Sequence, residues 1–331
     1  MKTNKKRLIA LVSAAVLVAA CLIFMIFFNG HFVYISTGLN SNTILKLDGI
    51  TMTKTEAKIL MSDARSQYEE LLGEDIWNET IDGESFYSYV NDQIKVKLIR
   101  VAMLNKLAKE RGVVLSRDEE NNVEAAAAEY YNNLSDDDKK QLDVSLEDLE
   151  EMYTKFAIAN KLYEDIISEY DIEVSYDDAR VIDIQYIVSD SKEEVENAYN
   201  SIQSGSSFFA LAKEINDDGN YEMELKKGEM DQTFEDIAFN LSTGDMSEVF
   251  EVNGLYYLIR CTSDNDKTKT EVNKTTILES KQLEQFNEYM NEYESKYYVD
   301  FNTGVWAKLS VRSNSIYSSN FESIFNSYLS N

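Results

Sequence analysis

The arrangement of apolar positions changes character several times along the chain, and each change predicts a different element. Leu8 to Phe28 is an unbroken apolar run in which Ser13 is the one hydroxyl and no charge occurs. At about 1.5 Å per residue, a helix of that length crosses roughly the 30 Å hydrocarbon layer of a bilayer. Lys2, Lys5, Lys6 and Arg7 precede it, which places the N-terminal end in the cytoplasm and the bulk of the chain outside. Thr43 to Met52 (TILKLDGITM) then alternates apolar and polar residues around Asp48-Gly49, the pattern of a small strand pair or an extended arm with a turn.

From Thr53 the period becomes helical. Thr53 and Glu56 stand at capping-box spacing, followed by Ala57, Leu60, Ala64, Tyr68 and Leu71 on one stripe. A longer helix is predicted from about Phe86 to Arg111, with Val90, Ile94, Leu98, Val101, Leu104 and Ala108 on its apolar face and Gly112 at its end. Ser116 with Glu119, and Ser145 with Asp148, open two more helices. The second of these carries Leu149, Met152, Phe156, Ala159, Tyr163 and Ile166. Each stripe buries one face, so the region to about Ile172 reads as a helical domain of four or five elements.

The run RVIDIQYIV from Arg180 is strand-like, and a helix from Ser191 to Gly205 follows it. SFFALAKEI, a Gly/Asp/Asn loop, the helix-like QTFEDIAFNL, a turn at Thr243-Gly244 and the strand-like GLYYLIRC complete a compact block of about 85 residues. Beyond Lys267 a helix carries Leu283, Phe286, Met290 and Tyr293, and VWAKLSV reads as a further strand. The expected fold class is α+β. Its expected divisions are 1–30 as signal anchor or lipoprotein signal, 43–177 as the helical domain, 178–264 as the α+β domain, and 265–331 as a C-terminal helix and tail packing on the helical domain.

Composition narrows the chemistry. The chain has 331 residues and a formal charge of −27, which opposes a nucleic-acid partner because such affinity comes largely from Lys and Arg displacing counterions. His31 is the only histidine, so one chain cannot build a Ser-His-Asp triad or a multi-histidine zinc site. Cys21 and Cys261 cannot form a disulfide framework, and proline is absent. Offsets in Glu214 to Leu225 superficially match a calcium loop, but Leu225 stands where a bidentate glutamate is needed, so no metal or cofactor is expected.

Residues 180–262 resemble a parvulin-type peptidyl-prolyl isomerase domain. VIDIQYIV is similar to its opening strand, GSSFFALAKEINDD to its G-x-D-F-x-x-L-A segment, and KKGEMDQTFEDIAFNLSTGDMSEVF to a segment of the form RGQM-x-x-x-F-E-D-A-x-F-x-L-x-x-G-E-M-S. GLYYLIR stands at the place of G-x-H-I-I-K/R. The helical region before it resembles, in layout, the chaperone domain of SurA-like and PrsA-like proteins, with the helix around Gln282 to Tyr293 completing a domain into which the parvulin unit is inserted. Val18-Ala19-Ala20-Cys21 resembles a bacterial lipobox, making Cys21 a lipidation candidate; the apolar run continuing through Phe28 favours an uncleaved anchor instead.

The resemblance implies a site. Met230 and Phe234 stand at the proline-pocket positions, with ordinary core packing as the competing role, and Asp218 stands near the position of the twisted amide. Gln185 and Tyr256 replace the family's histidine pair, and Asn220 to Glu224 replaces its Gly-Gly-Asp-Leu-Gly run. Glutamine and tyrosine form hydrogen bonds but lack the tautomers of imidazole. Isomerisation needs no nucleophile, only a twisted, desolvated amide whose resonance barrier is about 18–20 kcal/mol. The resemblance therefore implies a chaperone or foldase for unfolded or newly exported polypeptides, held at the membrane, with weak or absent isomerase activity. An active isomerase with an altered site and a non-catalytic envelope interaction protein are the alternatives. The 21 tyrosines suit adaptable apolar contact with varied segments.

Overall fold

The computed structural model describes residues 34–35, 38–81, 83–217, 219–311 and 320–330. The predicted membrane helix Leu8 to Phe28, with Cys21 and His31, lies outside them, as does Asp218. Among the described residues no helix is long and apolar enough to cross a membrane. The described chain forms two units, one from the residues up to Tyr170 together with those from Gln285, the other Asp171–Glu284.

In the first unit, β2 (Thr43–Leu47) and β3 (Ile50–Thr53) form an antiparallel hairpin. Asp48 and Gly49 at its turn have φ of 46° and 88°, the paired left-handed conformation that a two-residue type I′ turn demands. Helices α1 (Lys54–Leu72), α2 (Phe86–Arg111), α3 (Arg117–Asn133), α4 (Asp136–Leu142) and α5 (Leu146–Ser168) follow. Between α1 and α2 run a 3-10 turn, Glu74–Asn78, and the two-residue strands β4 (Thr80–Ile81) and β5 (Glu84–Ser85).

Capping boxes at Thr53, Ser116 and Ser145 start α1, α3 and α5, and a further one at Ser135 starts α4. Gly112, with φ 72°, ends α2 in the left-handed conformation. The stripe from Val90 to Ala108 is buried, but so are Lys97, Arg100 and Asn105 on other faces of the same helix. Helix α2 is therefore enclosed on several sides along its second half and must satisfy buried polar groups there.

The other end of the chain completes this unit. Strand β10 (Val299–Phe301) lies between β2 and β1 (Tyr34–Ile35), giving the strand order β1-β10-β2-β3. Phe301 pairs with Leu45, and both side chains are buried. The strand expected at VWAKLSV is displaced: Asn302 accepts a hydrogen bond from the Val305 amide and caps the short helix α11 (Thr303–Trp306), so the chain leaves the sheet after Asn302. Helix α12 (Phe321–Leu329), for which the sequence pattern gave no role, buries Phe321, Ile324 and Phe325 in the same core.

The second unit contains α6 (Tyr176–Ala179), β6 (Val181–Ser189), α7 (Lys192–Gln203), α8 (Phe208–Ile215), β7 (Glu222–Lys226), α9 (Gln232–Ala238), β8 (Phe250–Val252) and β9 (Leu255–Ser263). Its sheet runs β7-β6-β9-β8, antiparallel throughout. Strand β7 occupies part of the expected loop. Its five residues, EMELK, alternate, with Met223 and Leu225 facing the core, but the run is short and mostly charged and only Leu225 is fully buried, so it reads as loop until β6 pairs with it.

One face of this sheet packs Ile182, Ile184 and Ile259 against Phe234 and Ala238 of α9. The reverse face packs Ile187 and Leu258 against Val195 and Ala198 of α7 and Phe208 and Ala212 of α8. Helix α10 (Lys267–Glu294) begins in this unit, where the Thr270 hydroxyl accepts from the Val181 amide and the Asn273 side chain donates to the Ala179 carbonyl. Its later residues Phe286, Met290 and Tyr293 belong to the core of the first unit.

A buried polar cluster in the first unit generates a pH dependence. Asp63, enclosed beside Glu322, has its pKa pushed up to about 8 by burial and by that neighbouring carboxylate, with Lys97 opposing. A carboxyl that holds its proton in the fold but ionises freely when unfolded gives stability that is full at low pH and is lost as pH rises through the folded value. Both tryptophans, Trp77 and Trp306, lie in this unit. Their fluorescence should therefore report an unfolding midpoint that falls as pH is raised from about 5 to about 9. Asp63→Asn should flatten that fall, and an unchanged slope would contradict the assignment.

Candidate functional site

The apolar face of the second unit is organised around α9. Asp231 caps this helix by accepting from the Thr233 amide at 2.9 Å. Phe234 is fully buried one turn in, its ring edge-on to Tyr257 at 5.3 Å and to Phe250 at 5.7 Å. Phe250 and Tyr257 stack on each other across β8 and β9, with centroids 5.7 Å apart. Met230 is half-buried against this cluster, and Leu241 joins it. Burial raises the Tyr257 phenol above its ordinary pKa, leaving an uncharged hydroxyl-bearing ring beside the apolar surface.

Met230 is held from behind. Glu235, itself buried, uses one carboxylate oxygen to accept from the Gly228 amide at 2.8 Å and the Met230 amide at 2.9 Å. Gly228 has φ 89°, which lets the chain turn sharply between β7 and α9. An α9 carboxylate thus fixes the loop that carries Met230 over the same helix. This device was missed in the sequence, although Glu235 sits next to Phe234 in the quoted motif.

Gln185 and Tyr256 lie elsewhere. Gln185 is on β6, on the same face as Ile187, and its amide donates to Glu222 of β7 at 3.2 Å. Tyr256 packs on that reverse face with Ile187, Phe208 and Leu258. In register, Gln185 pairs with Arg260 and Tyr256 with Ser189, so the two are offset by about 13 Å along the strands. The structure brings Met230, Phe234 and Tyr257 together and leaves Gln185 and Tyr256 apart on the other side of the sheet. The signal for Tyr257 was present in the alternation of β9, where Tyr257 shares a face with Ile259 and Tyr256 with Leu258.

Asn216 ties the chain after α8 to strand β6. Its buried side chain accepts from the Val188 amide at 2.9 Å and donates to the carbonyls of Tyr186 and Asn220. Asp218 itself lies outside the described residues. Among the described residues no group of three His, Cys, Asp or Glu side chains could hold a metal ion. Cys261 is free and buried, and burial pushes its thiol up to about 11, so it carries no thiolate chemistry near neutral pH.

An antiparallel four-stranded sheet with two helices on one face, a third on the other and an apolar shelf at that third helix is the architecture of a parvulin-type domain. Residues 187–263 match the family model of the rotamase, the PPIC-type PPIASE domain. Over longer stretches the chain is similar to foldase protein PrsA. That of Caldanaerobacter subterraneus subsp. tengcongensis is 23% identical over 254 residues, covering 72% of this chain and 78% of its own. That of Bacillus subtilis is 35% identical over 106 residues, covering 29% of this chain and 35% of its own. The crystal structure of the peptidylprolyl isomerase PrsA from Bacillus cereus covers 86% of this chain and 99% of its own, at 17% identity and a TM-score of 0.38. The chain is PrsA-like, with a parvulin-type domain inserted in a helical region.

The role of Glu235 is open to direct measurement. Glu235→Ala leaves two inward-facing amides without their acceptor, and the second unit should lose about 1–3 kcal/mol. Because both tryptophans lie in the first unit, the loss should appear in far-ultraviolet circular dichroism during urea unfolding and leave the tryptophan transition unmoved. Equal shifts by both probes would contradict it.

Proposed function

We propose that this chain is a membrane-anchored extracytoplasmic chaperone of the foldase kind, which binds unfolded exported polypeptides and whose parvulin-type domain has weak or lost isomerase activity. The division into an anchor at 1–30, a helical chaperone domain at 43–177, a parvulin-like domain at 178–264 and a C-terminal region at 265–331 that packs on the chaperone domain is part of this reading. The PrsA-like similarity over most of the chain supports the chaperone function. The observation that carries the activity level is the placement of Gln185 and Tyr256, offset along the strands on the face opposite Met230 and Phe234, in a chain whose one histidine is His31. No imidazole pair can polarise or relay across the bound amide, and the acidic surface keeps complexes soluble and favours basic clients.

The apolar shelf favours a second reading. Met230, Phe250 and Tyr257, half-buried over the enclosed Phe234, retain an apolar surface for a prolyl ring, and the Tyr257 hydroxyl adds a donor beside it, so an active isomerase with an altered site is the alternative. Asp218 is its candidate catalytic position and Met230 its substrate contact; Gln185 and Tyr256, on the opposite face of the sheet, would act only through the strands, and Phe234, fully buried, only by supporting Met230 from below.

A protease-coupled proline-peptide assay on the detergent-solubilised chain should leave prolyl exchange near its uncatalysed time of about 10–100 s. In the same preparation, aggregation of an unfolded secreted protein should be slowed. Fast turnover abolished by Met230→Ala would establish the isomerase reading instead, and unaltered aggregation would remove the chaperone. The uncleaved anchor predicts no incorporation of radiolabelled fatty acid; label on the wild type that is lost in Cys21→Ser would make the chain a lipoprotein.

A further inference from the structure

Helix α12 sits in the first unit as a ligand sits in a groove. Phe321 stacks on Tyr153 at 4.5 Å, meets Phe156 edge-on at 5.1 Å, and lies 6.2 Å from Tyr130. Phe325, one turn on, lies 6.3 Å from Phe156 and parallel to Tyr153. The groove also reads the backbone of the helix. The Tyr153 hydroxyl donates to the Phe321 carbonyl at 3.3 Å, and Asp63 accepts from the Glu322 amide at 3.4 Å.

Its charged contacts select one residue pattern. Glu322 is bound by the buried Lys97 ammonium and by the Gln67 amide at 2.8 Å. At the rim, the Tyr328 hydroxyl donates to Glu129 at 2.8 Å. Asp63 remains buried with its second oxygen, Oδ1, unpartnered. A desolvated ion pair beside an incompletely hydrogen-bonded carboxyl group contributes little stability compared with an apolar core of the same volume, but it discriminates strongly among occupants. Nine residues entering after 312–319, held by aromatic pockets, backbone contacts and one selective ion pair, have the features of a recognised segment.

We propose that the aromatic groove formed by α1, α2, α3 and α5 is a client-binding site of this chain, that it takes amphipathic helical segments of the pattern Phe-acid-x-x-Phe, and that α12 fills it in cis. This rests on the chaperone reading for the word client. The groove itself can be tested separately.

The probe is a fluorescein-labelled peptide NFESIFNSYLS, matching residues 320–330. Two full-length chains would be compared with wild type, one carrying Phe321→Ala and Phe325→Ala, the other carrying a site-specific protease sequence within residues 312–319 and then cut. The second keeps every groove contact, so it answers even if the first fails to fold. The cut chain should bind the peptide at least about tenfold more tightly than the uncut chain, because a groove filled in cis is open only a fraction of the time. Replacing the peptide's glutamate by alanine should weaken binding about tenfold, as expected for loss of a charge-assisted contact. No binding by the cut chain overturns the proposal, and so does equal binding of the two peptides. Peptide binding without any slowing of client aggregation would leave the groove intact and remove the chaperone reading.

Discussion

The pairing of Phe301 with Leu45 is the contact on which the organisation of the chain depends. It joins a strand near the C-terminal end to one near the start of the described residues, and the following Asn302 amide extends the ladder by donating to the Ile44 carbonyl at 2.8 Å. Because β10 lies between β1 and β2, the first unit is closed by residues from both ends. Everything from Asp171 to Glu284 then becomes an insertion, whose own sheet makes no use of those strands. The cost of closing so long a loop grows only slowly with its length. An inserted unit that folds on its own core adds little to that cost.

Buried charge marks the same closure. Lys155 of α5 reaches both Glu56 and the Thr51 carbonyl, Arg100 of α2 reaches Glu294 of α10, and Lys97 reaches Glu322 of α12. Each pair joins segments distant in sequence, and each is removed from water. Burial raises the pKa of Glu56 and of Glu294 despite the neighbouring cation, so these pairs add specificity of docking more than net stability. In a chain with so large an acidic excess, the few buried cations decide which carboxylates can come inside.

In the parvulin-type unit the sheet is a partition. Strands β6 and β9 alternate, so neighbouring residues serve different cores: Tyr257 completes the aromatic shelf on α9, while Tyr256 packs beneath α7 and α8. A shift of one position in aligning a short motif therefore changes the side of the sheet and the chemistry available there. Glu235 matters for a related reason. It holds Met230 through backbone amides, a contact that depends on the folded path of the loop and not on the identity of the residues it binds.

Local rules in the sequence determined the parts whose causes are local. The Asp48-Gly49 turn, the capping boxes at Thr53, Ser116 and Ser145, the limits of α2 and the opening and closing strands of the inserted unit follow from periodicity and from backbone groups satisfied within a few residues. The composition alone excluded an imidazole pair. Tertiary structure decided what has a distant cause: that β10 and not VWAKLSV joins the first sheet, that the sparsely apolar β7 becomes a strand beside β6, and that α12 belongs in the helical core. It also placed Tyr257, and not Tyr256, beside Phe234. Such choices turn on which partner buries a surface or accepts a hydrogen bond, and that partner lies tens to hundreds of residues away.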